Sequence, residues 1–389
     1  MAAMYFPVMD INQTDLAAEV ESYEAGTITD ESGNERRLAW PDLFPLKYTS
    51  RFDIKSLSGK EGIPVSADRI AFNVKAPTKT RRTVGAWSGE LSKVAISRSK
   101  NEIEINDYKD KKAAAAASSY DRDAKEELVE MVYEDVRFCD TGMNTKVEVD
   151  ALRAASHGFL DFPAEIDGDN ATADIINFNI PSENQKGAAV VWTDKTNADG
   201  IGDIESLVKA FLHPGKGKAK KARPRYVFME VQAFEELCAQ KKTLDRLASF
   251  SIFSASGVVL TADSVNLETI NRYLQNKKLP QIILLDTEAG IEGADGEITP
   301  IKPWAENVVV LAPTRQLGRT YFKTVPDVEN TEALQTHAAF YKLTRYSDVN
   351  PMEEVTLAEA YMQPVLENRS NLGYINVHKT TWSNGEDAS

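Results

Sequence analysis

The stretch of sequence that decides the fold covers residues 111–162, which read KKAAAAASSYDRDAKEELVEMVYEDVRFCDTGMNTKVEVDALRAASHGFLDF. After the alanine run, apolar residues recur at steps of three and four, which is the pattern of one apolar stripe on an α-helix. The stripe consists of Leu128, Val132, Val136, Cys139, Met143 and Val147. Because no proline follows before Pro163, the pattern predicts a helix of roughly 36 residues, which would be about 54 Å long.

Two properties of this helix bear on the rest of the chain. Thr141 and Gly142 are its weak point, where we expect either a kink or two stacked helices. A helix of this length exceeds the needs of a compact domain, so it is typical of a strut in an extended molecule. We therefore predict that other copies of the chain cover its apolar stripe.

N-terminal to the helix, three short segments alternate apolar and polar residues with period two, as strands with one apolar face do. They are residues 70–74, 94–96 and 103–105. Together they predict a long β-hairpin with a polar, basic tip at residues 76–89. A two-stranded hairpin is only marginally stable alone, so a neighbouring subunit is the simplest cover for its apolar face. The predicted intersubunit contacts are Ile70, Phe72, Val74, Arg81, Arg82, Trp87, Val94 and Ile96.

The remaining segments fall into three groups. Residues 1–60 are rich in aromatic residues and proline without a period, and we interpret them as an arm that packs on something else. Residues 225–311 have the sequence pattern of an α/β unit, in which continuous apolar runs are typical of strands buried on both faces. The other predicted elements are strands at 176–180, 188–192, 321–325, 338–344 and 374–377, and a short helix at 204–211.

Composition narrows the class of protein. The chain has 389 residues, 42% of them hydrophobic and 27% charged, which is ordinary for a soluble protein of two or three domains. We find no apolar run long enough for a membrane span and no signal-peptide pattern at residues 1–10. The formal net charge of −14 argues against a broad nucleic-acid-binding surface, which needs clustered lysine and arginine. Cys139 and Cys238 lack CxxC spacing, so we expect two buried thiols in a reducing compartment.

Candidate chemical motifs are weak. The basic residues between Lys216 and Arg225 lack the ending of a phosphate-binding loop, so we interpret them as a solvated loop, with a nucleic-acid or acidic-partner contact as the alternative. Residues 195–206 approach a calcium loop but lack two charged ligands, which favours a plain turn. The four histidines lack the spacing of metal ligands. No sequence pattern singles out a pair of carboxylates as general acid and general base. We predict no metal, no cofactor and no enzymatic activity.

The order of these elements is itself informative. An arm, a hairpin, a long helix, a strand pair, an α/β insertion and returning strands follow one another along the chain. Four stretches carry the comparison: Ile70–Ile105, Trp192–Glu205, Tyr226–Leu247, and Val308–Val325 with Val355–Val377. In this order the chain resembles the major capsid proteins of tailed bacteriophages, which have the Hong Kong 97 fold, and most closely the lambda major head protein family (family E).

The resemblance implies an α+β capsid fold with five regions. These are an N-terminal arm (1–60), an extended loop (61–112), a peripheral domain with a spine helix (113–200), an axial domain (201–345), and return strands with a C-terminal tail (346–389). It also implies self-assembly into pentamers and hexamers of an icosahedral shell enclosing double-stranded DNA. The shell would be assembled in the host bacterial cytoplasm and found in the virion.

By the same resemblance, the partners would be copies of the chain, with scaffolding, portal and decoration proteins as further candidates and DNA only in non-specific proximity. No membrane partner is expected. Two other classes stay open at this point. One is a soluble α/β enzyme or ligand-binding protein using residues 225–311; the other is a different virion component, such as a tail or portal-associated protein.

Overall fold

The computed structural model describes residues 12–29, 35–58, 85–117, 122–162, 174–214, 220–250, 265–292, 297–329 and 332–382. It is an α+β structure with two compact units. The first unit comprises Met1–Ile54, Glu90–Glu148 and Thr320–Pro364, and the second comprises Lys55–Gly89, Val149–Arg319 and Val365–Ser389. None of the helices in the described part of the chain is long and apolar enough to cross a membrane.

The described helices are α1 (Gln13–Ser22), α2 (Trp40–Leu43), α3 (Glu102–Ala117), α4 (Arg122–His157), α5 (Gly200–Leu212), α6 (Val231–Ala239), α7 (Lys241–Ala248) and α8 (Leu267–Asn276). The strands are β1 (Thr27–Thr29), β2 (Glu35–Arg37), β3 (Leu46–Tyr48), β4 (Asp53–Ser58), β5 (Gly85–Glu90), β6 (Ser92–Lys100), β7 (Phe159–Phe162), β8 (Asp174–Asn177), β9 (Gln185–Gly187), β10 (Tyr226–Glu230), β11 (Gln281–Leu285), β12 (Ala289–Glu292), β13 (Ile298–Ile301), β14 (Val308–Ala312), β15 (Gly318–Lys323), β16 (Leu334–His337), β17 (Lys342–Val349), β18 (Met352–Leu366) and β19 (Gly373–Asn376).

The long helix α4 has 36 residues, which confirms its predicted length. It runs through Thr141 and Gly142 as one helix, so of the two predicted alternatives the pair of stacked helices was wrong, and the kink stays a prediction. Gly142 lies against Ile96 of β6, and a Cβ there would overlap the Ile96 side chain. A glycine at this point allows close approach between helix and strand.

The apolar stripe of α4 is buried by its own chain. The side chains of Val136, Cys139, Met143 and Val147 are 0% exposed. The Cys139 thiol lies 3.6 Å from the carbonyl oxygen of Thr356 on β18. The prediction that only other copies cover this stripe was therefore wrong, because β6 and β18 of the same unit pack against it.

The first unit contains a six-stranded sheet in which β18 is central. The order is β16-β17-β18-β15-β3, and β6 also pairs with β18. β6 runs antiparallel to β18 over its whole length, from Ser92 opposite Met362 to Lys100 opposite Glu354. β3 pairs in parallel with β15, with Tyr48 opposite Phe322. The predicted strand at 94–96 is confirmed, and its partner is more than two hundred residues away in the sequence.

Two parts of the predicted hairpin are wrong. Residues 103–105 lie in the first turn of helix α3 instead of forming a strand, because Asn101 and Glu104 make a reciprocal cap. The Asn101 side chain accepts from the backbone N–H of Ile103 (2.9 Å), and the Glu104 carboxylate accepts from the N–H of Asn101 (2.8 Å). Residues 85–89, predicted as the hairpin tip, belong to strand β5, which pairs with β4.

The described part of the predicted N-terminal arm packs into the first unit. Leu16 and Phe44 are 0% exposed, and Trp40 is 1% exposed. The Trp40 ring lies edge-on to Phe340, with 5.9 Å between ring centroids. This agrees with the interpretation of residues 1–60 as a segment that packs on something else, because these side chains pack on other segments of their own unit; the bounds of the arm stay a prediction.

Helix α1 also closes one edge of the six-stranded sheet. β16 is an edge strand, and the side-chain amide of Gln13 bonds to both backbone groups of Gln335 on that strand. The Gln13 Oε1 accepts from the N–H of Gln335 (3.1 Å), and its Nε2 donates to the Gln335 carbonyl oxygen. The amide takes the place that a neighbouring peptide would have in a sheet.

The second unit contains a five-stranded sheet in the order β11-β10-β14-β19-β9. β10 and β11 are parallel and are joined by a connection containing α6, α7 and α8, as expected for an α/β crossover. This confirms the α/β interpretation of residues 225–311. The core between sheet and helices includes Trp192, Leu207, Phe211 and Leu237.

One predicted strand of the second unit is absent. Residues 188–192 are irregular, and the adjacent strand β9 ends at Gly187. Ala188 and Trp192 are nevertheless buried. The backbone N–H of Trp192 donates to the carbonyl oxygen of Val377 (2.8 Å), and its indole N–H donates to the Asp203 carboxylate (3.0 Å), which holds the ring in the core. The resemblance of residues 195–206 to a calcium loop is explained by local turns: Asp199 caps α5 by accepting from the N–H of Gly202 (2.9 Å).

Candidate functional site

The predicted intersubunit contacts have different outcomes. Ile70, Phe72, Val74, Arg81 and Arg82 lie outside the described residues. Trp87 lies in β5, while Val94 and Ile96 lie half-buried on β6. The structure brings Ile96 against helix α4 of its own chain. Their role in contacts between copies stays a prediction.

Helix α4 of the first unit carries a row of buried polar side chains. Such groups are rarely buried without partners, because taking them out of water is costly. None of the four is more than 7% exposed. We call this set the α4 polar row: it consists of Asp135, Asp140, Asn144 and Glu148.

At one end of the α4 polar row, Asp135 is held by cations of β6. The Lys100 ammonium lies 2.6 Å from the Asp135 carboxylate, and the Arg98 guanidinium lies 3.6 Å from it. All three groups lie where the strand meets the helix, and Asp135 and Lys100 are buried. The pair joins β6 to α4 with a charge-assisted contact.

A second buried ion pair lies beside it, between Arg345 of β17 and Glu354 of β18. Both side chains are 2% exposed or less. Arg345 also donates to the carbonyl oxygen of Val132 on α4 (3.1 Å). Burial raises the pKa of Glu354, and the Arg345 guanidinium opposes that rise. The arginine thus ties two strands to the helix, and losing it would leave a buried carboxylate without its counter-ion.

In the middle of the α4 polar row, Asp140 accepts two hydrogen bonds on one oxygen. The Tyr341 hydroxyl donates to Asp140 Oδ1 (2.7 Å), and Asn144 Nδ2 donates to the same atom (3.0 Å). Burial raises the pKa of Asp140 to about 6, although both hydrogen bonds favour the charged form. Burial also raises the pKa of the Tyr341 hydroxyl, so it remains a donor.

The far end of the α4 polar row holds the N-terminal segment. Asn144 Oδ1 accepts from the N–H of Gly26 (2.8 Å). The Glu148 carboxylate accepts from the N–H groups of Trp40 (2.7 Å) and Ala39 (3.2 Å), at the start of α2. A carboxylate at a helix start satisfies N–H groups that have no partner within the helix. The row therefore fixes one helix to the sheet and to the segment before it, which is a structural role.

The sequence contains a signal for this row that the predictions missed. Each member stands directly next to a residue of the apolar stripe: Asp135 before Val136, and Asp140, Asn144 and Glu148 after Cys139, Met143 and Val147. A polar residue adjacent to every stripe position lies at the edge of the buried face. Whether such a polar residue is buried depends on the width of the sheet and segments that cover the helix, and the pattern of the helix alone does not give that width.

An enzyme or ligand site in the second unit would be expected at the carboxyl ends of the parallel strands β10 and β11. Two acidic residues stand there: Glu230, the last residue of β10, and Asp286, which directly follows β11. The Glu230 carboxylate accepts from the N–H of Gln232 at the start of α6 (2.5 Å) and pairs with Lys302 (3.0 Å). Glu230 thus serves to cap a helix. In the described ranges no group of three or more metal-binding side chains converges.

The structure also describes part of the basic segment between Lys216 and Arg225. Lys221 is half-buried and pairs with Glu183 (2.6 Å), and Arg223 donates to the carbonyl oxygen of Lys278. Residues 215–219 lie outside the described residues. The two described contacts are within the second unit, which agrees with the interpretation of this segment as a loop.

No protein-family model and no curated protein matches the sequence. Among solved structures, a crystal structure provisionally described as the capsid protein of a prophage of E. coli CFT073 aligns with 94% of this chain and 99% of its own. The identity is 14% and the TM-score is 0.54. The chain has the fold of a phage capsid protein.

Two other solved structures resemble this capsid fold less closely. A phage-related protein of Bordetella bronchiseptica RB50 is 15% identical and aligns with 93% of this chain and 96% of its own, with a TM-score of 0.49. A chain of the satellite phage P4 procapsid is 7% identical, with 85% and 92% aligned and a TM-score of 0.41. The predicted α+β capsid fold class is confirmed by the likeness to the prophage protein, whose TM-score is 0.54.

Proposed function

We propose that this chain is the major capsid protein of a tailed phage, which self-assembles into pentamers and hexamers of an icosahedral shell enclosing double-stranded DNA. The observation that carries the proposal is the likeness to the prophage protein over 99% of that protein's length. A likeness that leaves almost no part of either chain unmatched favours a shared architecture over a shared local motif.

The predicted regions become part of this proposal. Residues 61–112 would contact neighbouring copies through Arg81, Arg82 and Trp87 among others, and residues 201–345 would lie around the capsomer axes. The net charge of −14 suits an inner wall that must not bind DNA tightly. Scaffolding, portal and decoration proteins are the further partners expected in the virion, with shell assembly in the host cytoplasm.

The test is to express the full chain and examine it by negative-stain electron microscopy and sedimentation. We expect closed particles tens of nanometres across, whose averages show fivefold and sixfold capsomers. A protein that stays a monodisperse monomer at every concentration and ionic strength would overturn the proposal. Particles of another symmetry would favour a different virion component.

A deletion gives a second test with a folding control. Removal of residues 76–84 leaves β5 in place and is expected to give a folded subunit that no longer closes a shell. Its urea unfolding curve should match that of the parent chain, because β6 keeps its pairing with β18. Normal shells from this variant would show that residues 76–84 are not needed for contacts between copies.

A further inference from the structure

Four neighbouring positions of the β17–β18 hairpin place polar side chains on one buried face of the sheet. Arg345 stands directly opposite Thr356, and Ser347 stands directly opposite Glu354. Because cross-strand partners and residues two apart along a strand share a face, all four side chains lie on the same side. Helix α4 covers that side, since Arg345 donates to the carbonyl oxygen of Val132 (3.1 Å). We call these four side chains the hairpin quartet.

Three oxygen atoms of the hairpin quartet are buried without partners. Arg345 and Glu354 pair across one diagonal of the quartet, through Glu354 Oε1. The other carboxylate oxygen, Oε2, has no hydrogen-bond partner within the described residues. The same holds for the hydroxyl oxygens of Ser347 and Thr356, which occupy the other diagonal. Thr356 is 0% exposed and Glu354 is 2% exposed, so bulk water does not reach these atoms.

These three oxygens together form a small polar site inside the first unit. A buried polar group without a hydrogen bond destabilises the folded state, and a charged one does so most. Native proteins rarely keep such groups unsatisfied. Residues directly opposite one another across two strands have Cβ atoms about 5 Å apart, which one small molecule can span by bonding to both sides. The arrangement therefore suits a small ligand that bonds to all three oxygens.

The charges around the site determine which ligand fits. The two buried cations, Lys100 and Arg345, already balance the two buried carboxylates of Asp135 and Glu354. Lys100 is also the cross-strand partner of Glu354 on β6, so its charge lies on the same face of the sheet. A metal ion or an anion would add a charge without a counter-ion to this interior. The ligand is therefore neutral, and it must donate hydrogen bonds as well as accept them.

We propose that the hairpin quartet binds one buried water molecule, which bridges Glu354 Oε2 and the hydroxyl groups of Ser347 and Thr356. The water donates one hydrogen bond to the carboxylate oxygen and one to a hydroxyl oxygen, and it accepts one from the other hydroxyl. Three hydrogen bonds are typical of a buried water in a globular protein. The water joins the two strands where they meet α4. This inference concerns the interior of one unit and does not depend on the proposed function.

The direct test is an experimental structure of the full chain at a resolution that shows ordered water. We expect a density peak within hydrogen-bonding distance of all three oxygens, as well ordered as the side chains around it. A Ser347 hydroxyl that donates directly to Glu354, with no such peak, overturns the proposal. A peak with the larger number of oxygen ligands that a metal ion requires overturns it as well.

Thr356→Val tests the site in solution, because the sign of its effect depends on whether the hydroxyl is bonded. Replacing an unbonded buried hydroxyl by a methyl group of similar shape is neutral or stabilising. Replacing a hydroxyl that bonds to a held water removes a hydrogen bond, so the unfolding equilibrium constant measured in urea should rise about tenfold. An unfolding constant that stays the same or falls contradicts the proposal.

Thr320→Val is the matched control. Thr320 lies on β15 of the same sheet, is 0% exposed, and has a hydroxyl without a hydrogen-bond partner in the part of the chain that the structure describes. Its cross-strand neighbour on β3 is the apolar Leu46, which cannot share a bridging water. We expect this change to leave the unfolding constant unchanged or to lower it. An equal rise from both variants would mean that any exchange of a buried threonine in this sheet is destabilising, and the proposal would fail.

A double variant shows whether the two hydroxyl groups share one ligand. Ser347→Ala should also raise the unfolding constant, because it removes another hydrogen bond to the water. Combined with Thr356→Val, the total rise should be smaller than the product of the two single effects, since residues that share a partner are coupled. A total equal to that product would show that the hydroxyls have separate partners, which overturns the bridging water.

Monovalent salts separate a bound water from a bound cation. The full chain is unfolded in urea with lithium, sodium or potassium chloride at equal ionic strength, under conditions that keep the subunits apart. A site that holds water predicts the same difference in urea midpoint between the parent chain and Thr356→Val in all three salts. A midpoint that rises in one salt for the parent chain, and not for the variant, would identify a cation in the site and refute the proposal.

Discussion

Replacing Asp140 by asparagine should make the first unit more stable at neutral pH and leave its stability unchanged in acid. Both hydrogen bonds to Asp140 end on Oδ1, and an asparagine can present its carbonyl oxygen at that position. The variant therefore keeps the donors Tyr341 and Asn144 while it removes a buried charge. The cost of that charge is what the experiment measures.

The magnitude follows from the pKa of Asp140, which burial raises from 3.8 to about 6. Because the folded state binds the proton more tightly than the unfolded state, the unfolding free energy falls as pH rises between about 4 and 6. At about 1.4 kcal/mol per pKa unit, the cost above pH 6 is about 3 kcal/mol. Asp140→Asn should recover most of that amount at pH 7.5 and almost none at pH 4.

The assay is urea unfolding of both proteins at pH 4, 5, 6 and 7.5 under conditions that keep the subunits apart. The difference between variant and parent removes the contributions of all other titrating groups. Tyr341→Phe serves as the control, since it removes one donor and should destabilise the parent chain most where Asp140 is charged. A gain that is the same at every pH, or a loss at pH 7.5, would refute the account of a buried, charged Asp140.

Three further changes test the packing. Met143→Ala should lower the unfolding free energy by about 3 kcal/mol, because the side chain is 0% exposed. Val129→Ala, on the exposed side of α4, should lower it by under about 1 kcal/mol. Equal losses in urea unfolding would contradict the buried stripe. Arg345→Met should lower the unfolding free energy by about 3 kcal/mol or more, because it leaves Glu354 buried without its counter-ion. Adding Glu354→Leu should recover most of that loss. A double variant as unstable as the single one would show that the unpaired carboxylate is not the cause. Gly200→Ala should destabilise the second unit by about 1–3 kcal/mol, since a Cβ would lie 2.5 Å from Leu237 Cδ1 and 2.8 Å from the Trp192 ring. Unchanged thermal unfolding would show that these side chains can move aside.

The parts of the fold that sequence reasoning predicted are those with local, repeated patterns. The stripe from Val132 to Val147 fixed the position and length of α4, and the continuous apolar run of β10 indicated a strand buried on both faces. Each pattern extends over several turns or a whole strand. A pattern of this length therefore distinguishes a helix from a strand without knowledge of the rest of the fold.

The errors arose where a short pattern competed with a specific local contact. Ile103 and Ile105 alternate over only three residues, and the cap formed by Asn101 and Glu104 turned the segment into a helix. That cap has the spacing of a known helix-start signal, so it could have been found. The irregular segment ending at Trp192 places Ala188 and Trp192 in the core without pairing as a strand.

Other features depend on contacts between distant parts of the chain. The pairing of β6 with β18 joins residues such as Ile96 and Ala358, and no local pattern specifies which strand will lie beside which. The α4 polar row has the same origin, because Asp135 and Asp140 find their partners on β6 and beside β17.

The Gln13 amide on the edge of β16 has a consequence for how copies of this chain can join. An open sheet edge is a template on which further strands from other molecules can add without limit, which leads to fibrous aggregates. A side-chain amide that hydrogen-bonds to the N–H and carbonyl of Gln335 occupies backbone groups with which an added strand would pair. Polymerisation through the backbone is thereby discouraged at this edge, and a particle of finite size can be built from side-chain recognition instead.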